Sequence, residues 1–265
     1  MDHQYTDEQA AAAQAVVTRT ADPGSERGLL REFWDEVLVE AFPPEELGAP
    51  YWQDDSPAIR TILALGPGQQ VLGGMVGETF PQSRVLLISW VAVRRGCRGL
   101  RVGSRLMEQA ARDWYGQPGQ QLVLAEVDDP RYRSGQEQDP VERLRFYDRF
   151  GVRALASPYF QPSVGPGFPH VYHLFLTSFD AGAPAVKPGA GPGGAVDGQV
   201  VRAFLVEYLA ASAAWCGHPG VLGTDAEWLL SRYDGSDIPL VPLMDYERLP
   251  DSAPPGLATP AGDHG

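Results

Sequence analysis

Apolar residues recur first at helical spacing and then at strand spacing along this chain. The helical pattern near the start ends at Pro43-Pro44, and short turns between the strand-like runs that follow favour antiparallel neighbours. The predicted segments are, in order, a helix at 25–42, strands at 59–65, 70–80 and 84–93, a helix at 103–115, a strand at 121–127, a helix at 140–150, and strands at 152–155 and 171–179. This order predicts an α/β (α+β) fold with a mixed, mostly antiparallel central sheet flanked by helices.

Glycine and proline mark the end of this folded region. Residues 181–198 are rich in Gly, Pro and Ala and have few charges, which is typical of a flexible linker. The pattern is helical again at 199–215 and 225–232, so we expect a helical C-terminal extension that docks on the preceding domain or forms a homodimer contact. The predicted organisation is an N-terminal segment (1–24), a main domain (25–180), a linker (181–198), a helical extension (199–249) and a disordered tail (250–265).

Charge and composition exclude several classes of protein. Of the 265 residues, 21 are Lys or Arg and 34 are Asp or Glu, which gives a net charge of −13. A general nucleic-acid binder needs a basic face, so this excess of acid excludes that class but leaves room for a local basic patch. Two cysteines are too few for a disulfide framework. We find neither a signal peptide nor an apolar run long enough to span a membrane, and expect a cytoplasmic protein with no membrane contact.

The segment from Val91 to Leu106 joins a predicted strand to a predicted helix through a loop of arginine and glycine. Glycines let a backbone approach a ligand closely, and the first N–H groups of a helix have no partner inside the helix. Five of the 21 basic residues lie here, namely Arg94, Arg95, Arg98, Arg101 and Arg105. One interpretation is a site for a phosphorylated ligand. The other is a solvated, arginine-rich surface loop.

Two motifs in the right order make this sequence resemble the GNAT family of N-acetyltransferases. Residues 98–103, Arg-Gly-Leu-Arg-Val-Gly, are similar to the family's Arg/Gln-x-x-Gly-x-Gly/Ala motif, and Val93 matches the end of the strand before it. Residues 147–152 are similar to the family's Tyr-x-x-x-Gly-Phe/Val motif. The resemblance covers about residues 25–180 and implies the family's fold for them.

The sequence also departs from the family pattern. Arg95 stands where proline is frequent, and Arg101 replaces the middle glycine of the first motif. Arg101 would either narrow the backbone cradle or supply an extra cation to the phosphates. Pro140 and Arg143 stand where the family often has Asn-x-x-Ala.

The resemblance implies acetyl-CoA, or another acyl-CoA, as co-substrate, an amine as acceptor, direct transfer between them, and no metal. It implies that loop N–H groups and arginines hold the pyrophosphate, and that the end of the fourth strand pairs with the pantetheine arm. The Val93 N–H would polarise the thioester carbonyl. The implied cofactor-binding residues are Val91, Val93, Arg98, Gly99, Arg101, Val102, Gly103 and Ser104.

Two side chains are candidates for proton transfer. The resemblance implies Tyr147 as the general acid that protonates the departing thiolate; the alternative is a core tyrosine. Glu126, at the end of a strand, is our candidate general base, acting through water, and the alternative is a carboxylate with no chemical role. Glu78 is a weaker candidate, because a turn at Pro81-Gln82-Ser83 pairs it near Leu87, far from Val93.

The remaining polar residues suggest an acceptor but no metal. Asp128, Asp129, Glu137 and Asp139 predict an acidic acceptor site that suits a cationic amine, shaped by Tyr159, Phe160 and Gln161. We expect His170 and His173 to be structural, and Cys97 and Cys216 to have no catalytic role. The predicted function is an acetyl-CoA-dependent N-acetyltransferase acting on a small-molecule or peptide amine. The alternatives are a non-catalytic acyl-CoA-binding or regulatory module on the same fold, and an interaction protein that binds an acidic partner.

Overall fold

The computed structural model describes residues 15–53, 56–97, 99–132, 139–188, 193–220 and 223–251. The chain divides into two compact units and passes from the first to the second within one strand. The first unit comprises Met1–Ala125 and Phe179–Ala185, and the second comprises Glu126–Ser178 and Val186–Gly265.

The first unit is a sheet in the order β1-β2-β3-β4-β5 with its helices. The described pairs of β1 to β4 are antiparallel, and β4 runs parallel to β5 from Val85↔Leu122 to Ile88↔Ala125. A π-helical turn at Trp34–Leu38 joins α1 to α2. The elements are β1 (Val17–Thr20), α1 (Arg27–Phe33), α2 (Val39–Ala41), α3 (Pro44–Leu47), β2 (Ile59–Leu65), β3 (Val71–Phe80), β4 (Val85–Val93), α4 (Val102–Asp113) and β5 (Leu122–Asp128), of which the last three residues belong to the second unit.

The second unit has an antiparallel sheet in the order β7-β6-β10-β9-β8. Its elements are α5 (Pro140–Asp148), β6 (Arg153–Leu155), β7 (Leu174–Ser178), β8 (Val186–Lys187), β9 (Ala195–Val196), α6 (Gly198–Trp215), α7 (Thr224–Ser231) and β10 (Ile238–Pro242). Helix α5 begins as predicted, with Pro140 in its first turn and the Asp139 side chain accepting from the Val141 N–H. It ends before Gly151, whose φ of 79° is one that glycine adopts easily.

The first helix buries its apolar face against the sheet of the first unit. Leu30, Phe33 and Val37 are at most 2% exposed and belong to one core cluster with residues of β2 and β3. Gly74 makes the approach possible, since a Cβ there would lie 2.8 Å from the Phe33 ring and 2.9 Å from the Ile62 carbonyl oxygen. The glycine in β3 is therefore required for packing and not for a turn.

The predicted fold class is confirmed, and so is the register of the central hairpin. Glu78 pairs with Leu87, as the turn position predicts. Helices α6 and α7 agree with the helical pattern of the extension. The stretch predicted as a linker contains β8 and β9, which pair with each other. The N-terminal segment contributes β1.

One strand was not predicted, and another is shorter than predicted. The extension contributes β10 as well as helices, and its two prolines, Pro239 and Pro242, count against a strand when only the sequence is considered. The predicted strand at 171–179 begins only at Leu174, because His173 has a φ of 64° that interrupts an extended chain.

Candidate active site

The end of β4 directs two backbone groups away from β3. The Arg94 N–H donates to the Leu72 carbonyl at 2.8 Å, so these two residues form a hydrogen-bonded pair. Pairs alternate along an antiparallel ladder, so Val93, opposite Gly73, and Val91, opposite Met75, are non-hydrogen-bonded pairs. Their N–H and C=O groups therefore point away from β3, which is the orientation needed to bind an extended ligand at the strand edge.

A bulge in β4 lies directly before this edge. Val76 pairs with Trp90, but Gly77 pairs with Ile88, so Ser89 is an extra residue in β4. A bulge bends its strand and re-aims the residues around it. The parallel pairing of β4 with β5 extends through Ile88, immediately before the bulge. The first unit thus changes the course of β4 just where the candidate ligand-binding backbone begins.

Gly73 holds the end of β4 close to β3. A Cβ on Gly73 would lie 2.6 Å from the Ala92 carbonyl oxygen and 3.1 Å from the Val93 Cα. It would also lie 3.2 Å from a methyl group of Val102, the first residue of α4. Only glycine allows this approach, so the end of β4 and the start of α4 are held together by the backbone of β3.

The loop between β4 and α4 turns by means of residues with positive φ. Gly96 and Gly99 have φ values of 81° and 88°, and Arg101 has a φ of 59°. The Arg105 N–H donates to the Arg101 carbonyl at 3.0 Å, which is the first bond of the helix. The preceding N–H groups of Val102, Gly103 and Ser104 therefore project from the helix end, where the helix dipole is positive.

The arginines of this loop have different roles. The Arg94 guanidinium donates to the Val71 carbonyl at 2.8 Å, to Glu36 at 2.7 Å and to Glu32 at 3.0 Å, so it joins β3, β4 and the first helix. Arg105 donates to the Val16 carbonyl at 3.1 Å. Arg95 and Arg101 are exposed at the surface, and Arg98 lies outside the described residues. The predicted cluster of five cations is therefore partly structural.

These groups suit a pyrophosphate. Three helix N–H groups and the exposed guanidinium of Arg101 are hydrogen-bond donors for an anion at the start of a 12-residue helix. The space beside Gly99 is open, since a Cβ there would meet nothing within 4 Å. Arg101 in the left-handed conformation explains why a glycine would be favoured there. Arg101 adopts the backbone conformation that a glycine would adopt easily at this position, and it adds a positive charge.

Tyr147 lies in the second unit on α5, with 8% of its surface exposed. Burial is the main cause that raises its pKa; the charge of Asp128 raises the pKa further, and Arg143 opposes the shift. The phenol therefore holds its proton at neutral pH, as a general acid must before it acts. Its ring also packs edge-on against Phe146, with centroids 5.3 Å apart.

Glu126, the other proton-transfer candidate, accepts a hydrogen bond from the Tyr159 hydroxyl. Tyr159 is fully buried, whereas Glu126 is half-buried at the end of β5. Burial first, and then the charge of Glu126, raise the pKa of Tyr159 well above its ordinary value. The tyrosine therefore remains a neutral donor to the carboxylate.

The acidic residues predicted around the acceptor have partners in the second unit. Asp128 forms an ion pair with Arg143, and the fully buried Asp129 forms a bidentate pair with Arg131, with the closest atoms 2.6 Å apart. Asp139 caps α5. Glu137 lies outside the described residues. Two of the four predicted negative charges are thus compensated by arginine, and a third is used at a helix N-terminus.

The predicted shaping residues are buried, and the two histidines are half-buried. Phe160 and Gln161 are 0% and 7% exposed, so they lie in the interior of the second unit. His170 accepts from the Ser163 N–H at 3.0 Å through Nδ1, and burial lowers its pKa. His173 stacks on Tyr132 at 4.1 Å between centroids. Among the described residues, no group of three or more His, Cys, Asp and Glu could hold a metal ion. None of the helices in that part of the chain is long and apolar enough to cross a membrane.

The sequence did not indicate three of these contacts. The pairs Arg94–Glu32, Glu126–Tyr159 and Asp128–Arg143 join residues that are 62, 33 and 15 positions apart. No local periodicity or motif relates the two members of a pair, because the tertiary fold alone brings them into contact.

Residues 28–152, a little under half of the chain, match the acetyltransferase (GNAT) family. No curated protein has a significant sequence match to the chain.

Several solved structures are similar to part of this chain. An acetyltransferase of the GNAT family from Bacteroides thetaiotaomicron is 19% identical, with a TM-score of 0.48, and the match covers 62% of this chain and 86% of that one. One from Desulfovibrio desulfuricans is 17% identical, with a TM-score of 0.43, covering 63% and 99%. An N-acetyltransferase from Lactobacillus plantarum is 19% identical, with a TM-score of 0.41, covering 62% and 99%.

Proposed function

We propose that this protein is an acetyl-CoA-dependent N-acetyltransferase that transfers an acyl group to a primary amine of a small molecule or a peptide. The observation that carries the proposal is the arrangement in the first unit. There, the outward-facing backbone of Val91 and Val93 is followed, after one short loop, by the projecting N–H groups of α4. An acyl-CoA has an extended pantetheine arm and a pyrophosphate, and these two sets of donors and acceptors match them in kind.

Each cofactor-side residue has a defined task in this proposal. The N–H groups of Val102, Gly103 and Ser104, with the backbone at Gly99 and the charges of Arg98 and Arg101, bind the pyrophosphate. The backbone of Val91 pairs with the pantetheine amides. The Val93 N–H donates to the thioester carbonyl and stabilises the negative charge that develops there. The cofactor itself supplies the activated acyl group.

The proton-transfer steps use the two candidates in the second unit. The amine nitrogen attacks the carbonyl carbon, the C–N bond forms, and the C–S bond breaks. The cationic amine loses one proton to Glu126, through water, before it attacks. The Tyr147 hydroxyl donates a proton to the leaving thiolate, and the second proton lost by the amine nitrogen restores the Tyr147 hydroxyl. Because Asp128 and Asp129 are paired with arginines, the carboxylate that attracts a cationic amine in this proposal is Glu126 itself.

Release of the CoA thiol from acetyl-CoA, measured over a panel of primary amines, tests the proposal. We expect turnover with at least one class of cationic amine. Tyr147→Phe should lower kcat by about 10²-fold while leaving the affinity for CoA unchanged, since a positioned general acid contributes on that order. Equal turnover by Tyr147→Phe at every pH would show that Tyr147 is a core tyrosine.

A non-catalytic acyl-CoA-binding or regulatory module is the second candidate. The observation that favours it is the ion pair between Arg143 and Asp128, which occupies α5 where the family often has Asn-x-x-Ala. Calorimetric binding of CoA without thiol release for every amine in the panel would support this module. The absence of both binding and turnover would contradict both candidates.

A further inference from the structure

In the second unit, the hydroxyl of a fully buried tyrosine, Tyr159, donates a hydrogen bond to Glu126 near the end of β5. Tyr159 is 0% exposed, and its hydroxyl donates to Glu126, which is only half-buried. A donor that is itself buried and fixed constrains the acceptor more than a mobile surface donor does, because its rotamer is set by packing.

The C-terminal extension fixes the loop that carries Tyr159. The Tyr233 hydroxyl donates to the Pro158 carbonyl at 3.0 Å, directly before Tyr159 in the chain. The Ser212 hydroxyl on α6 donates to the Ser163 carbonyl at 2.7 Å, and the Ala156 N–H donates to the Pro239 carbonyl at 2.9 Å. These bonds attach the loop to α6, to the segment after α7 and to β10.

The surroundings of Tyr159 keep its phenol neutral. Tyr208 on α6 and Tyr233 lie near enough for their charges, if they formed, to raise the pKa of Tyr159 further, in the same direction as burial and Glu126. The charged groups farther along β5 and on α5, Asp128 and Arg143, are paired with each other. The Tyr159 hydroxyl is therefore a donor to Glu126 over the whole working pH range.

We infer that Tyr159 is a positioning residue for Glu126, and that the C-terminal extension is required because it holds Tyr159 in place. A hydrogen bond from a neutral, buried donor stabilises the ionised carboxylate and holds one of its oxygens in a single direction. This inference rests on the proposed role of Glu126 as the general base. It assigns to the extension a task at the amine side of the reaction.

The test replaces the phenol and measures the carboxylate. In full-length Tyr159→Phe, we expect the pKa of the Glu126 carboxyl to rise by about one pH unit, because a hydrogen bond to a charged group is lost. The side-chain carboxyl carbon, followed by NMR in protein labelled at glutamate, reports this directly, and Glu126→Gln assigns the signal. The acidic limb of the kcat/KM profile should move upward by the same amount.

Tyr172→Phe is the matched control, because it removes a tyrosine hydroxyl of the second unit that donates to Asp225 at 2.5 Å and not to Glu126. We expect it to leave the titration of Glu126 unchanged. Tyr233→Phe tests the extension, because it removes the bond to the Pro158 carbonyl directly before Tyr159. There the titration of Glu126 should move in the same direction as in Tyr159→Phe, by a smaller amount. A Glu126 titration that is unchanged in Tyr159→Phe, or that moves equally in Tyr172→Phe, would overturn the role of Tyr159, and one that is unchanged in Tyr233→Phe would overturn the role of the extension.

The two levels of proposal fail in different ways. If the wild-type protein acetylates no amine, the proposed function is wrong, yet the carboxyl titration still decides whether Tyr159 controls Glu126. If the protein acetylates amines and the acidic limb in Tyr159→Phe matches that of the wild type, the proposed function stands and the role of Tyr159 is rejected.

Discussion

Arg94 provides the sharpest test of how the candidate cofactor site is held. From its sequence context it belongs to a cluster of cations for phosphate, but its guanidinium binds the Val71 carbonyl, Glu32 and Glu36. We therefore predict that Arg94→Met destabilises the protein, because it removes these three contacts while keeping most of the aliphatic stem.

The magnitude follows from the exposure of each partner. The Arg94 side chain is 18% exposed, Glu32 is 27% exposed and Glu36 is 57% exposed. Loss of the charge-assisted bond to the Val71 carbonyl costs about 2 kcal/mol. The more enclosed pair with Glu32 adds about 1 kcal/mol, and the solvent-screened pair with Glu36 adds about 0.3 kcal/mol. We expect a loss of about 3 kcal/mol in the free energy of unfolding.

Urea unfolding of full-length variants measures this loss, and double-mutant cycles with Glu32→Gln and Glu36→Gln separate the pairs. The coupling to Glu32 should exceed the coupling to Glu36. Arg31→Met, which removes an exposed i,i+4 pair with Asp35, is the control and should cost at most about 0.5 kcal/mol. Wild-type stability in Arg94→Met, combined with weaker binding of CoA, would refute the structural role and restore the phosphate role.

Two further predictions concern packing and pH. Gly73→Ala should destabilise the protein by about 2 kcal/mol or more, because the new Cβ would meet the Ala92 carbonyl. The control is Gly28→Ala in α1, where a Cβ would meet nothing within 4 Å, and it should stabilise the protein by about 0.5–1 kcal/mol. Thermal unfolding compares the two variants, and equal effects would contradict the close approach of β3 to the end of β4. Burial lowers the pKa of His170 in the folded protein, so as the pH falls the imidazole is protonated in the unfolded chain before it is protonated in the folded one. The contribution of the neutral His170 to stability is therefore complete above about pH 6.5 and is lost as the pH falls from there through the lowered pKa. His170→Asn keeps an acceptor for the Ser163 N–H but does not titrate, so its unfolding free energy should fall less between about pH 7.5 and about pH 5; the same slope in both proteins would show that another group is responsible.

Much of the fold could be predicted because its determinants are local. The first helix, the β3–β4 hairpin and α5 each show their own periodicity and their own turn or cap residues, such as Pro140 and Gly151. Strand β1 has no such signal, since its burial pattern is exposed at both ends and only two of its four residues are half-buried. Its position depends on pairing with β2, which lies far along the chain.

The candidate site divides in the same way. The backbone donors at Val93 and at the start of α4 could be located from the strand, the glycines and the helix start, because a backbone function needs only the right local conformation. The roles of side chains were harder to predict. Arg94 binds Glu32, which lies 62 positions away in the sequence. Asp129 binds Arg131, which lies only two positions away. Charge counting from the sequence assigned both to ligands, although their charges are satisfied within the protein.

Strand β10 has a consequence for how the chain is made. In it, Leu240 pairs with Leu155 of β6, so one neighbour of β6 is synthesised 85 residues after β6 itself. Contacts of such separation slow folding, and β6 remains a bare edge on the ribosome until the chain is nearly complete. A truncated chain that stops where the family match stops, at residue 152, would end before β6 is reached. We therefore expect translation arrest or premature termination before Ile238 to yield an aggregation-prone product in place of a smaller folded protein, which pelleting of ribosome-released fragments would reveal.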